Sequence, residues 1–558
     1  MNRHKRPLTS VLTSIDAAKK DFHLFSKSSS AIMAPILLIL VALIVAATTI
    51  LPLAYLTIRT VSVGEEVWGL LFHTRTIQVF FNSMLLAVVV TALSILIAVP
   101  LAFITVRTDI PGRRFWSIAT ALPLAIPSYV GSFVIIAALA PRGSILQNWL
   151  APLGIERLPS IYGWPGAVLV LTLFTFPYIL LTVRASLHGL DPALEEASQS
   201  LGYNRLETFV RVTLRHLYPS IAAGGLLVAL YTLSDFGTPS LMRFDSFTRE
   251  IYVQYQSGFD RNFAAVLSLL LAMLAAIVLF VEYKARGKAR YYSTSAGPTR
   301  RPWTIELKKW RWPALAFCAT VVGLALVMPL SVISFWFLRG VSVGESFMSI
   351  GQLAVNSVLV SGLAALVVIP AAFPVAILAV RYPSVFTNLM ERSTYVGFAL
   401  PGIVVALSLV FFGANFATVF YQTIVMLILA YVVLFIPQAV GTIRSSLLQV
   451  NPRLEEAARS LGQGRFETLR LVTVPIVRSG ILAGAALLFI TTIRELPATL
   501  LLAPLGFSTL ATRIWSTTEE ALFAQAAASS LLLVAISALF MTIILSQERE
   551  SEKRRTST

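Results

Sequence analysis

Charge is what this sequence has least of. Only 13% of its 558 residues are Asp, Glu, Lys or Arg, against 56% hydrophobic, whereas soluble domains run near a quarter charged. An ordinary water-soluble globule is thereby excluded. Acidic residues are scarcest, 27 against 44 basic, for a net charge of +17. The single cysteine, Cys318, lies in an apolar run, so no disulfide framework is expected. Five widely separated histidines make no metal-ligand spacing. Neither a GxxxxGK[ST] phosphate loop nor a dinucleotide glycine fingerprint occurs, so no nucleotide is expected on this chain and it does not read as an enzyme. A cleavable leader is not expected either: a thirty-residue segment, polar and basic overall, precedes a first apolar run too long for a signal-peptide core.

What the sequence does have is apolar length. A bilayer takes about 20 apolar residues to cross. Runs of that kind cover 31–58, 79–106, 116–139, 164–183, 219–242 and 262–281, then 313–338, 353–380, 393–412, 419–443, 479–503 and 522–545. They predict an all-α integral membrane protein of about twelve transmembrane helices, because lipid offers backbone groups no partners outside a helix or closed barrel. Barrel strands would alternate over roughly ten residues, and these runs do not.

The basic residues set an orientation. With twelve spans starting inside, the inner segments are 1–30, 107–115, 184–218, 283–312, 381–392, 444–478 and 546–558. They hold 34 of the 44 Lys and Arg residues, including all nine lysines. That bias puts both termini in the cytoplasm. Because the charge is scattered over seven loops, it reads as a membrane-orientation signal, and no nucleic-acid partner is expected.

The chain also repeats itself. Residues 191–208, DPALEEASQSLGYNRLET, match 451–468, NPRLEEAARSLGQGRFET, at eleven of eighteen positions. Pro177, Arg184, Ser186 and Leu187 correspond to Pro437, Arg444, Ser446 and Leu447, and Ile221–Gly224 to Ile481–Gly484. Asn82, Ser83, Pro100 and Arg107 correspond to Asn356, Ser357, Pro374 and Arg381, and AlaLeuPro at 121–123 matches AlaLeuPro at 399–401. Six spans per half give two tandem halves of parallel topology, related by an axis along the membrane normal. The expected organisation is a cytoplasmic tail 1–30, a first half 31–282 with its repeated loop at 191–219, a mobile basic linker 283–312, a second half 313–545 with its loop at 451–475, and a cytoplasmic tail 546–558. The nine Lys or Arg residues of the linker suit anionic lipid headgroups.

The repeated loop carries a complete set of helix signals. Asp191 or Asn451 can cap, Pro192 or Pro452 suits the first position, and glutamates near the first turn complement the dipole. Gly202 and Gly462 supply a left-handed stop. A short, well-capped helix on the inner surface is a shape a partner can grip; a pair of loops that merely cap helices is the plainer reading.

These residues resemble the EAA loop of ABC importer permeases: E-A-A, three residues, G, nine residues, then I-x-L-P. The second copy gives Glu456, Ala457, Ala458, Gly462 and then Val472–Pro475; the first gives Glu196, Ala197, Ser198, Gly202 and then Val212–Arg215. Ser198 and Arg215 depart from the pattern. The resemblance implies the type I importer permease fold and two coupling helices. Glu196 and Glu456 would make polar contacts with an ATPase, Ala197 and Ala457 would allow close approach, and Gly202 and Gly462 would allow the turn. It further implies two copies of a separate ABC ATPase subunit carrying ATP and Mg, a periplasmic or lipid-anchored substrate-binding protein, and a bacterial inner membrane. The segments 233–252 and 494–515 are similar to the fused two-half permeases of ferric iron importers; thiamine, phosphonate and polyamine permeases share that fold. An ion-gradient-driven secondary transporter would also show twelve spans in two halves, but without the paired loops. Nothing in the spans reads as a channel selectivity filter.

Asp235 and Glu495 stand at equivalent positions within otherwise apolar runs. Ionisable groups at membrane depth are costly and face a cavity or a partner. Two carboxylates near a twofold axis suit a cation, with hard oxygen ligands suiting ferric iron. The alternative is structural pairing with basic groups on neighbouring helices, though not with Arg494, whose adjacency on a helix would turn it away from Glu495. Tyr129 and Tyr231 are candidate further oxygen donors, against the plainer reading of packing residues.

Overall fold

The computed structural model describes residues 36–62, 64–190, 192–257, 261–286, 304–347 and 349–557. The tail 1–30 and most of the linker, 287–303, lie outside them, as does Asp191. The first half runs α1 (Ile36–Ser62), α2 (Thr74–Arg107), α3 (Ser128–Leu139), α4 (Trp164–Gly189), a surface helix α5 (Pro192–Ser200), α6 (Phe209–Ser234), the short α7 (Gly237–Leu241) and α8 (Phe247–Ser257), and α9 (Arg261–Arg286). The second half repeats it as α10 (Lys308–Ser342), α11 (Ile350–Arg381), α12 (Gly402–Phe416), α13 (Ile424–Gln449), α14 (Pro452–Ser460), α15 (Phe466–Ile493), α16 (Pro497–Leu502), α17 (Leu510–Glu519) and α18 (Phe523–Ser557).

Ten described helices are long and apolar enough to cross a membrane, eleven if the bent pair within 113–139 is one span, against the twelve apolar runs. The third span of each half is broken. Residues 113–125 and 128–139 form a pair bent by 95°. In the second half a helix at Val385–Thr394 and a turn at Val396–Ala399 precede α12, which has only fifteen residues. The cause is a proline at each break. Pro127 and Pro401 force the preceding Ile126 and Leu400 into extended backbone, ψ 115° and 121°, which stops the helix. These two prolines are the true equivalents. The AlaLeuPro triplets at 121–123 and 399–401 match in letters but sit one helical turn apart in the repeat.

The fifth span also breaks in both halves, where the run of apolar residues predicts continuity. α6 stops at Ser234 and α15 at Ile493. The following carboxylates cap the next short helix. Asp235 accepts from the Thr238 amide at 2.9 Å and Glu495 from the Ala498 amide at 3.2 Å.

In each half three helices pack side by side, α2, α4 and α6 in the first and α11, α13 and α15 in the second. Close packing takes the place of the hydrophobic effect between helices in lipid. Gly224 lets α6 approach α4: a Cβ there would stand 2.8 Å from the Ile179 Cα, and Gly484 faces Thr442 of α13 in the same way. The first helix of each half reaches across to the other. α1 lies along α11 and α12, with Thr49 donating to the Ser393 carbonyl at 3.2 Å, while α10 reaches α3. One continuous core results.

At the end remote from the surface helices, the repeated Asn–Ser pair finds its purpose. Asn82 donates to the Asp245 carbonyl and the Ser83 Oγ accepts from the Phe247 amide, seating α8 on α2. Asn356 and Ser357 seat α17 on α11 through Ser508 and Leu510 in the same manner. Arg75 adds ion pairs to Asp245 at 3.0 Å and Glu250 at 2.9 Å. At the other end, the described part of the linker is tied down. Ile305 bridges Thr108, and Asp109 accepts from the Leu307 amide at 2.9 Å and from Arg311 at 2.8 Å. The expected tail 546–558 continues α18 as helix to Ser557.

Candidate functional site

The four helix breaks meet at the junction of the halves and enclose a cavity of about 290 Å³. Pro127–Tyr129 and Ser234–Gly237 line it from the first half, Gly402 and Arg494–Pro497 from the second. Asp235, Glu495, Tyr129 and Tyr231, the four membrane-depth candidates, all line it. Among the described residues, no salt bridge joins either carboxylate to a basic side chain; their partners are the cap amides and, for Asp235, the Ser128 hydroxyl at 2.5 Å. The Tyr129 hydroxyl is buried without a hydrogen-bond partner. The Tyr231 ring packs on Tyr178, 5.7 Å between centroids.

Arg494 lines the same cavity as Glu495, against the expectation from helical adjacency. The helix has ended at Ile493, so the 100° step between neighbours no longer applies. Its guanidinium crosses to the first half, donating to the Leu124 carbonyl at 2.7 Å, and also holds the Ile490 carbonyl at 3.0 Å.

The two walls are related but unequal. Ser128, which binds Asp235, has Gly402 as its counterpart, and a Cβ at 402 would stand 2.8 Å from Glu495 Oε1. The longer acid thus goes with the smaller residue. In the repeat Arg494 takes the place of Ser234, and Thr491 and the Gln438 it donates to at 3.3 Å take the places of Tyr231 and Tyr178.

A second pair of features lies on the surface. α5 and α14 each span nine residues and end at a glycine of φ +90°, Gly202 and Gly462. Asn451 caps α14 by accepting from the Arg453 amide at 3.1 Å. Glu196, Ala197, Glu456 and Ala457 are all exposed, as are the flanking Leu194, Leu201, Leu454 and Leu461. The Ser198 departure is accommodated by a hydrogen bond to Thr208 at 3.0 Å. The Arg215 departure leaves the exit unchanged, since both copies leave through a π turn, Phe209–Thr213 and Leu469–Thr473.

Sequence reasoning missed Glu195 and Glu455, which turn inward onto Arg107 and Arg381. The repeat had matched those two arginines, and that was the available signal. Ser128, Gly402 and Tyr178 carried none.

Two segments of this chain, 94–284 and 368–554, match the family of binding-protein-dependent transport system inner membrane components, together more than half its length. The chain belongs to that family. Among relatives, the permease is 33% identical over 510 residues to the Fe(3+)-transport system permease protein FbpB 2 of Haemophilus influenzae, covering 90% of this chain and 97% of that one. It is 22% identical over 451 residues to the ferric transport system permease protein FbpB of Actinobacillus pleuropneumoniae, 77% of this chain and 64% of that one. Over 175 residues it is 30% identical to the molybdenum transport system permease protein ModB of Escherichia coli, covering 30% of the permease and 74% of ModB. The permease is therefore a fused, two-half, multi-pass ABC permease of an inner membrane transport system.

Proposed function

We propose that this permease carries ferric iron inward, driven by separate ATPase subunits and supplied by a substrate-binding protein on the outer side. The observation that carries the reading is the cavity at the junction of the halves, where Asp235 and Glu495 line one space with oxygen donors around them. Ferric iron is a hard cation that prefers carboxylate and phenolate oxygen. At about 290 Å³, the cavity lies at the lower edge of the volumes that hold organic ligands, roughly 300–1,000 Å³. That volume holds an ion or a small organic cation, and the likeness to ferric transport permeases is what favours the ion.

The driving force enters through α5 and α14. One ATPase subunit grips each, with Glu196 and Glu456 making polar contacts, Ala197 and Ala457 allowing close approach, and the exposed leucines filling a cleft. ATP and Mg are held by those subunits. On this reading the basic loops and both termini are cytoplasmic, as the bias of Lys and Arg predicts. Closure of the ATPase pair moves the two surface helices together and opens the cavity to alternate sides.

The deciding experiment is uptake of labelled iron against labelled thiamine in a strain deleted for the permease, with D235N/E495Q as the cavity variant. Iron uptake restored by the native chain and lost in the variant supports the reading. Thiamine uptake alone would refute the cargo. Charge reversal at Glu196 and Glu456 together should abolish uptake while the chain still inserts; unchanged uptake would refute the coupling role.

A further inference from the structure

Each half carries a second acid that neither the cavity nor the exposed face of the surface helix uses. Glu455 precedes Glu456, and its Oε1 accepts from Arg381 Nε at 3.1 Å and Nη2 at 3.0 Å, at the end of α11. The same oxygen accepts from the Thr473 hydroxyl at 2.9 Å, in the π turn that opens α15. In the first half, Glu195 Oε1 accepts from Arg107 Nη2 at 3.5 Å, at the end of α2, and from Thr213 Oγ1 at 2.7 Å, in the equivalent π turn of α6. One carboxylate oxygen therefore joins three elements: a surface helix, the end of the second span and the start of the fifth.

We propose that Glu195 and Glu455 are the positioning residues through which movement of α5 and α14 reaches the membrane spans. This rests on the reading that those helices are gripped by ATPase subunits. A nine-residue helix has little stability of its own. A partner pulling on its outer face would tilt or unwind it unless the inner face were fixed to something stiff. The Arg–Glu–Thr clamp supplies the fixing, with charge-assisted bonds out of full solvent: side-chain exposure is 15% and 13% in the second pair, 2% and 9% in the first. The threonine sits in a π turn in both halves, the local distortion that often marks functional points in helices. α6 and α15 then lead directly from the clamp to Asp235 and Glu495. A displacement at the surface is delivered to the cavity along one rigid helix per half.

The two clamps are unequal. Arg381 also holds the Leu447 and Val450 carbonyls, at 3.5 and 3.3 Å, bringing in the end of α13. Arg107 has two further nitrogens, Nε and Nη1, buried without partners, while its backbone carbonyl takes the Ile305 amide of the linker at 2.8 Å. The second-half clamp is the stiffer, so its loss should cost more.

The test uses the full chain reconstituted with its ATPase and binding protein in proteoliposomes. Three quantities are read: ATPase co-purification, the ratio of binding-protein-stimulated to basal ATP hydrolysis, and uptake. E455R and R381E should retain the ATPase while the ratio and uptake each fall at least about tenfold, the scale of one lost hydrogen bond to a charged group. The swap R381E/E455R, which restores opposite charges, should recover most of both, and E195R should lose less than E455R. Should a charged variant fail to reach the membrane, the isosteric E455Q is measured instead, with the same direction expected. Unchanged stimulation in the single variants overturns the proposal, and so does a swap no better than its singles. If the native chain brings down no ATPase at all, the importer reading fails before the clamp is in question.

Discussion

The complementary walls of the cavity make a prediction that can be worked through atom by atom. In the first half the shorter Asp235 is paired with Ser128; in the second the longer Glu495 lies against Gly402. In G402S, the new Cβ would stand 2.8 Å from Glu495 Oε1 and 3.0 Å from the Pro497 side chain, inside van der Waals contact. Overpacking of this kind costs about 1–3 kcal/mol. Displacing the carboxylate from the Ala498 amide adds a lost hydrogen bond to a charged group, worth about 1.5–3 kcal/mol. E495D alone withdraws the acid by one methylene and leaves a gap worth roughly 0.8 kcal/mol. The double variant G402S/E495D rebuilds in the second half the pairing already present in the first. The cycle should therefore show a favourable coupling of about 1–2 kcal/mol. Thermal melting of the purified permease in detergent measures it, with iron uptake followed in parallel. Strictly additive effects would refute the idea that the two walls are alternative solutions of one packing problem.

Three further outcomes are expected. R75A, at the start of α2, removes the ion pairs of Arg75 with Asp245 and Glu250, while Asp245 keeps Arg249; with Arg75 36% exposed, the cost should be about 1 kcal/mol, read as a lower melting temperature. G224A drives a methyl against the Ile179 backbone and should cost about 1–3 kcal/mol in the same assay, whereas alanine at Gly441, inside α13 with nothing near, should not lower the melting temperature. The Asp109 carboxylate is held below the usual carboxylate range by the Leu307 amide and then by Arg311. A depressed folded value means the linker attachment is intact above the ordinary value near ~3.9 and is lost as pH falls through the lower one. Hydrogen exchange over 304–311 should rise in that acid window, and in D109N already at neutral pH; exchange indifferent to both would refute the tie.

Much of this architecture was legible in the residues, because lipid leaves the chain so few choices. Apolar length gave the spans, and the repeat gave the parallel halves and the paired surface helices. The helix breaks were not legible from apolar length. A run such as 219–242 stays apolar on both sides of Asp235, so hydropathy cannot see that the backbone turns there. Pro127 and Pro401 did mark the other breaks, but the chance triplets at 121–123 and 399–401 drew the alignment four residues out of register. Glu195 and Glu455 were hidden for a geometric reason. Neighbours on a helix point about 100° apart, and which of two adjacent glutamates faces inward depends on how the helix is seated, not on its own letters. Arg494 was misjudged by the same rule, applied past the last residue of a helix.

Arg494 has a consequence for how such a transporter can evolve. In a permease made of two identical subunits, every group at the central axis is present twice, and two guanidinium ions in so small a space would repel each other. Joining the subunits end to end frees each side to change alone. Here a lone positive charge from one half is anchored on the opposite half at Leu124, an arrangement a symmetric pair could never make without its mirror twin.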